Sequence, residues 1–208
     1  MGAIQAPPAS EIRPVRRLAP TWALALGFFG VFVAVAFAGA SVFGMYGVRA
    51  LTMGQRIAVF SVLACMAGFA AVAAAREMRP AGGRRIAGWA LAVTCCSMLL
   101  GFALLFHDYG MRRFAAQGMP CFGAGLLFAV PAAFCVTLLF RRGFVLNLIA
   151  AGLAAGLMAG LAGLGMLELH CPNLNAMHVM FWHVAVVVVS GLAGMLAGWI
   201  ITWRRART

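Results

Sequence analysis

Lysine is missing altogether from this sequence, and acidic residues are nearly so: Glu11, Glu77, Asp108 and Glu168 are the only carboxylates. Charged side chains make up 10% of the chain against 64% hydrophobic, too few to cover a water-soluble globule, so the expected solvent is a bilayer. No polar stretch is long enough to form a soluble domain. No Asp, Glu, Lys or Arg falls in the middle of an apolar run, which disfavours a pump or an ion-coupled transporter. No C-x-x-C pair occurs either, which disfavours a membrane thiol oxidoreductase.

What remains is a set of long apolar runs separated by arginines. Crossing ~30 Å of hydrocarbon takes about 20 apolar residues, and six stretches qualify: 22–43, 57–75, 86–106, 122–140, 144–167 and 179–203. The expected fold is therefore all-α, a polytopic membrane bundle of six transmembrane helices. A cytoplasmic arm, residues 1–21, would precede the six-helix transmembrane domain, 22–203, and a cytoplasmic tail, 204–208, would follow. The first run also resembles a cleavable signal, with Arg16 and Arg17 before it and small residues at Ala36 and Ala38. It continues past Ala40 into Val42 and Phe43, however, which is long for a signal and favours an uncleaved helix.

The net charge of +12 raises the question of nucleic acid. The arginines stand in short clusters between apolar runs instead of forming a face, so direct nucleic-acid binding is not expected. Twelve of the sixteen, namely Arg13, Arg16, Arg17, Arg76, Arg79, Arg84, Arg85, Arg141, Arg142, Arg204, Arg205 and Arg207, fall on one side of the alternating spans. Arg49, Arg56, Arg112 and Arg113 fall on the other. The positive-inside rule then puts both termini in the cytoplasm.

Glycines recur at four-residue spacing in the fifth run, Gly152, Gly156 and Gly160, and the sixth adds Gly194 and Gly198. Such stripes let helix backbones approach closely. Pro131 is expected to kink the fourth span.

Polar chemistry gathers at the face opposite the arginines: His107 and Asp108, Cys121, Glu168, His170 and Cys171, His178 and His183. Cys65, Cys95, Cys96 and Cys135 fall inside spans and are expected to pack as small apolar groups. Cys121 and Cys171, each preceded or followed by a proline, stand at helix ends facing an oxidising compartment. Three uses of them are open: a structural disulfide, a redox or soft-metal sensor, and a structural metal site. Candidate ligands besides the thiols are His170, His178, Glu168 and His107. The five-residue step from His178 to His183 turns the two about 140° apart on an α-helix, so His183 is expected to be a hydrogen-bonded helix residue and not a ligand.

The segment Glu-Leu-His-Cys-Pro-Asn from Glu168, followed by Phe181-Trp182-His183, resembles the C-terminal signature of the NrsF-type membrane anti-sigma factors. Pro120-Cys121 with Gly125, Pro131 and the Arg141-Arg142-Gly143 turn looks like that family's first-cysteine region. Pro14, Val15, Arg16, Arg17 and Leu18 look like its pre-membrane segment. The resemblance implies a multi-pass protein of the bacterial inner membrane, not an enzyme. It would hold an extracytoplasmic-function sigma factor through the cytoplasmic arm and basic loops, and release it under heavy-metal or oxidant stress. By the same resemblance Cys121 and Cys171 are the periplasmic sensor pair. No resident cofactor is implied beyond a transient soft metal ion, and association between copies of the chain is left open. Residues 1–10 are Ala- and Pro-rich where the family pattern leads one to expect a short acidic and apolar helix.

Overall fold

The computed structural model of the chain describes residues 18–79 and 88–207, without the side chains of residues 88–95. Pro14, Val15, Arg16 and Arg17 of the expected sigma-binding segment lie outside the described residues, as do Arg13, Arg84, Arg85 and the side chain of Cys95. The described chain is helical, with no strand beyond an isolated bridge between Asp108 and Asn175. In order the helices are α1 (Thr21–Phe43), α2 (Tyr46–Ala50), α3 (Met53–Glu77), α4 (Gly88–Leu105), α5 (Phe114–Phe140), α6 (Leu148–His170), α7 (Ala176–His178) and α8 (Val184–Arg205). A single π-turn, Val179–His183, joins α7 to α8.

Five helical segments among the described residues are long and apolar enough to cross a membrane, against the six expected: α1, α3, α5, α6 and the continuous run Ala176–Arg205. The expected third span coincides with α4, but its described apolar part is only Cys96–Leu105. Helix α4 itself runs 18 residues, about 27 Å at 1.5 Å each. Helix α5 begins at Phe114, eight residues before the expected start, and takes both Pro120 and Pro131 into its interior.

Helix α6 is the centre of the bundle. Its span is 67% buried, against 22 to 44% for the other four, and every residue from Gly156 to Leu169 is buried. Burial on all sides requires close neighbours on all sides, which only small residues permit. A Cβ on Gly152 would fall on the Gly194 carbonyl oxygen of α8, one on Gly156 on that of Ser190, and one on Gly163 on that of Gly125 in α5. Toward α1, Gly165 faces Phe32 and Ala36. The expected stripe is thus the α6–α8 contact, and glycine packing extends to α5 and α1 as well. Cys65 and Cys96 differ from expectation: both are exposed on the outside of the bundle and do not pack into its core. A thiol is apolar enough to face hydrocarbon without penalty.

Local chemistry fixes the helix ends. Thr52 and Gln55 form a reciprocal capping box at the start of α3, and the Asn147 side chain accepts from the Ile149 and Ala150 amides to start α6. At the arginine end three elements meet: Arg79 donates to the Ala19 carbonyl at 3.1 Å, and the Phe144 amide donates to the Met78 carbonyl at 3.1 Å. Leu18 is half-buried against the core there.

Candidate functional site

At the opposite end, two loops are clasped together. The Ala176 amide donates to the Asp108 carbonyl at 2.6 Å, the Asn175 side-chain amide donates to the Gly110 carbonyl at 2.8 Å, and Asn173 donates to Gln117 at 3.3 Å. Helix α2 closes the same end, its Gly47 so near the tip of α6 that a Cβ would stand 2.7 Å from the Glu168 carbonyl oxygen and 2.6 Å from that of Cys171.

Four side chains converge beneath this clasp. Cys121 comes from inside α5, Cys171 from the residue just after α6, and His178 and His183 from the two ends of the π-turn. The two Sγ atoms lie 3.6 Å apart, and Cys171 Sγ lies 3.5 Å from His178 Nε2. One ligand atom from each of the four residues lies within 4.8 Å of every other. Such a group of two thiols and two imidazoles is able to hold a metal ion.

The expectation that His178 and His183 diverge is overturned. An α-helix would part residues five apart by about 140°, but a π-turn closes i to i+5 and returns them to one face. Their rings stand 5.1 Å apart at 78°. His183 is also hydrogen-bonded, as expected: its Nδ1 meets Glu168 Oε1 at 2.7 Å. With Nδ1 so held, the nitrogen left for the thiols is Nε2, which is buried and has no hydrogen-bond partner.

The other candidates separate into two groups. Glu168 reaches the site only through His183. His170 is directed elsewhere: its Nδ1 donates to the Gly44 carbonyl at 2.9 Å, between the rings of Phe43 and Tyr46. His107 is exposed in the loop after α4 and stands outside the group. Sequence adjacency suggested His170 as the partner of Cys171, whereas the structure supplies His178 and His183. The only signal for His183 in the sequence was the five-residue step, and that points to a shared face only if the turn is π.

The site is buried but reachable. Cys171, His178, His183 and Glu168 are each less than a tenth exposed, while Cys121 is half-buried. A cavity of about 380 Å³, bordered by Gln117, Pro172 and Asn173, opens onto Cys121, Cys171 and His178. Trp182 seals the flank, packed against Phe114 and Phe122 and so tight on α5 that Gly118 leaves no room for a Cβ.

The Cys171 thiol is pushed above its ordinary value by its hydrogen bond to Cys121 and by burial, with His178 and His183 opposing. It should remain a thiol at neutral pH, and thiolates are the reactive form. Limited labelling of the reduced protein with a small maleimide at pH 7, read by peptide mass spectrometry, is therefore expected to modify Cys121 before Cys171. Raising the pH should narrow the gap, and equal labelling at pH 7 would contradict the assignment.

No curated protein and no solved structure matches this chain. A family model described as NrsF, negative regulator of sigma F, matches residues 9–203, nearly the whole length, and the chain belongs to that family.

Proposed function

We propose that this protein is an anti-sigma factor of the bacterial inner membrane. It holds an extracytoplasmic-function sigma factor at its arginine-rich face and releases it when Cys121 and Cys171 are oxidised or bound by a soft metal. The observation that carries the reading is the 3.6 Å approach of these two thiols toward the end of the bundle opposite Arg76, Arg141, Arg142, Arg204 and Arg205. In this reading six helices cross the membrane, with α4 as the third, and both termini are cytoplasmic.

A signal at the thiols has a route to the other face. Cys121 and Cys171 sit on the consecutive helices α5 and α6, whose connecting turn, through Phe144, is bonded to Met78. The neighbouring Arg79 is bonded to Ala19 at the root of the arm. A change in the spacing of α5 and α6 is thereby felt where the sigma factor is held. Weakening sigma binding a hundredfold requires about 2.7 kcal/mol, within what one disulfide or one metal site supplies.

The test is to co-express the chain with its sigma factor and isolate membranes. The two should co-purify, and Cd²⁺ or a thiol oxidant should separate them. Cys171→Ser should leave the complex intact and abolish its response. A sigma factor that never co-purifies with the unaltered chain would end the proposal.

Thiol–disulfide exchange is the second reading, favoured by the opening of the thiol pair to the surface through Gln117 and Asn173. Turnover of a dithiol substrate with membrane quinone, lost in Cys121→Ser, would establish it in place of the first.

A further inference from the structure

The geometry points to a specific metal centre: one thiophilic divalent cation, Zn²⁺ or Cd²⁺, held by Cys121, Cys171, His178 and His183, with Glu168 orienting His183. This deepens the sensor reading by naming the ligand set, and it rests on that reading only for its consequence, not for its chemistry.

The spacings fit such an ion. Metal–sulfur bonds of about 2.3 Å and metal–nitrogen bonds of about 2.0–2.1 Å, arranged tetrahedrally, place two sulfurs about 3.8 Å apart and a sulfur and a nitrogen about 3.6 Å apart. The observed Sγ–Sγ and Sγ–Nε2 distances are 3.6 and 3.5 Å. The widest ligand separation in the group, up to 4.8 Å, is the one binding would draw in.

Two further observations point to a ligand. Nε2 of His183 lies in a residue 1% exposed and has no partner, although a buried polar atom without a hydrogen bond is costly. Its other nitrogen is held by a buried carboxylate at 2.7 Å. Metal-binding histidines characteristically donate their second N–H to a carboxylate, which fixes tautomer and ring orientation. Glu168 performs that task from one turn before Cys171, so the end of α6 supplies both a ligand and the orienting group.

Charge is consistent with burial. The entering cation displaces one proton from each thiol, and any proton on His183 Nε2, to solvent; the ion, two thiolates and two neutral imidazoles sum to zero, and the Glu168 carboxylate beside them is held by the His183 Nδ1–H. Entry is through the opening beside Gln117 and Asn173.

The experiment uses the purified full-length chain in micelles, reduced and stripped of metal, without any sigma factor. Titration with Cd²⁺ should show one ion per chain with thiolate-to-metal charge transfer. Co²⁺ should give the intense visible bands of a tetrahedral site. Glu168→Gln should weaken affinity about 10- to 100-fold, and His183→Ala at least as much. His183→Cys should restore binding with a third thiolate contribution, which a purely structural role for His183 would not produce. His170→Ala and His107→Ala should bind as the unaltered chain does. In the unaltered chain Cd²⁺ should also protect both cysteines from maleimide. Full affinity in His183→Ala, loss of binding in His170→Ala, or no bound ion with both thiols reduced would each overturn the assignment. Because no sigma factor is present, these results are independent of the co-purification test.

Discussion

Gly156→Leu is expected to leave little folded protein. A side chain at 156 in α6 would overlap the Ser190 carbonyl oxygen of α8 and press on the Gly191 Cα at 2.9 Å. Both obstacles are backbone, so no rotamer change relieves them, and α6 is itself enclosed on every side. Overpacking a close-packed interior costs up to about 3 kcal/mol even where side chains can yield; here a whole helix must shift. Since α6–α8 association rests on backbone proximity and lipid cannot substitute for it, the loss should appear as a large drop in the unfolding midpoint in bicelles. Gly30→Ala and Gly101→Ala, where nothing lies within 4 Å of a new Cβ, should change the midpoint little. Equal stability of Gly156→Leu and Gly30→Ala would mean that the helices do not meet as described.

Glu168→Ala should be nearly as damaging, for a different reason. Glu168 and His183 are 4% and 1% exposed and bonded at 2.7 Å. Removing one member of a buried pair strands the other without compensation, at a cost of about 3–5 kcal/mol. Glu168→Gln keeps a hydrogen-bond acceptor and should cost much less. The discriminating measurement is a double-mutant cycle: Glu168→Ala with His183→Ala should cost less than the sum of the singles, with a coupling of about 1–3 kcal/mol. Additive losses would show that the two side chains do not act on each other.

Much of this arrangement was legible in the sequence because the membrane imposes length and apolarity on its helices. The runs at 22–43 and 144–167 became α1 and α6 within a few residues, and the stripe at Gly152, Gly156 and Gly160 found its partner in α8. Helix α5 started early because Pro120 reads as a boundary residue, whereas here it is tolerated inside the helix. The third expected run coincides with α4, while five segments among the described residues are long and apolar enough to cross.

The candidate site was half legible. Cys121 and Cys171 were singled out by their place at the face opposite the arginines, and they do meet. His170 drew attention because it precedes Cys171, but neighbours in sequence at a helix end point in different directions, and its ring turns to Gly44. On an α-helix the five-residue step from His178 would turn His183 away from it. Nothing in Val179-Met180-Phe181-Trp182 announces a π-turn, which is held by tertiary packing, Trp182 against Phe114 and Phe122 among it.

That one widened turn separates two jobs along a single rod. Below it, Gly194 and Gly198 seat α8 on α6; above it, His178 is aimed at the thiols. Excising one residue from the stretch 179–182 would leave the two histidines four apart, which ordinary helical pitch also sets on one face, about 40° from each other, while the lower seat kept its alignment. The turn thus absorbs one surplus residue, and a chain shortened there should keep both imidazoles turned to the sulfurs, whereas one lengthened there by a residue should part them.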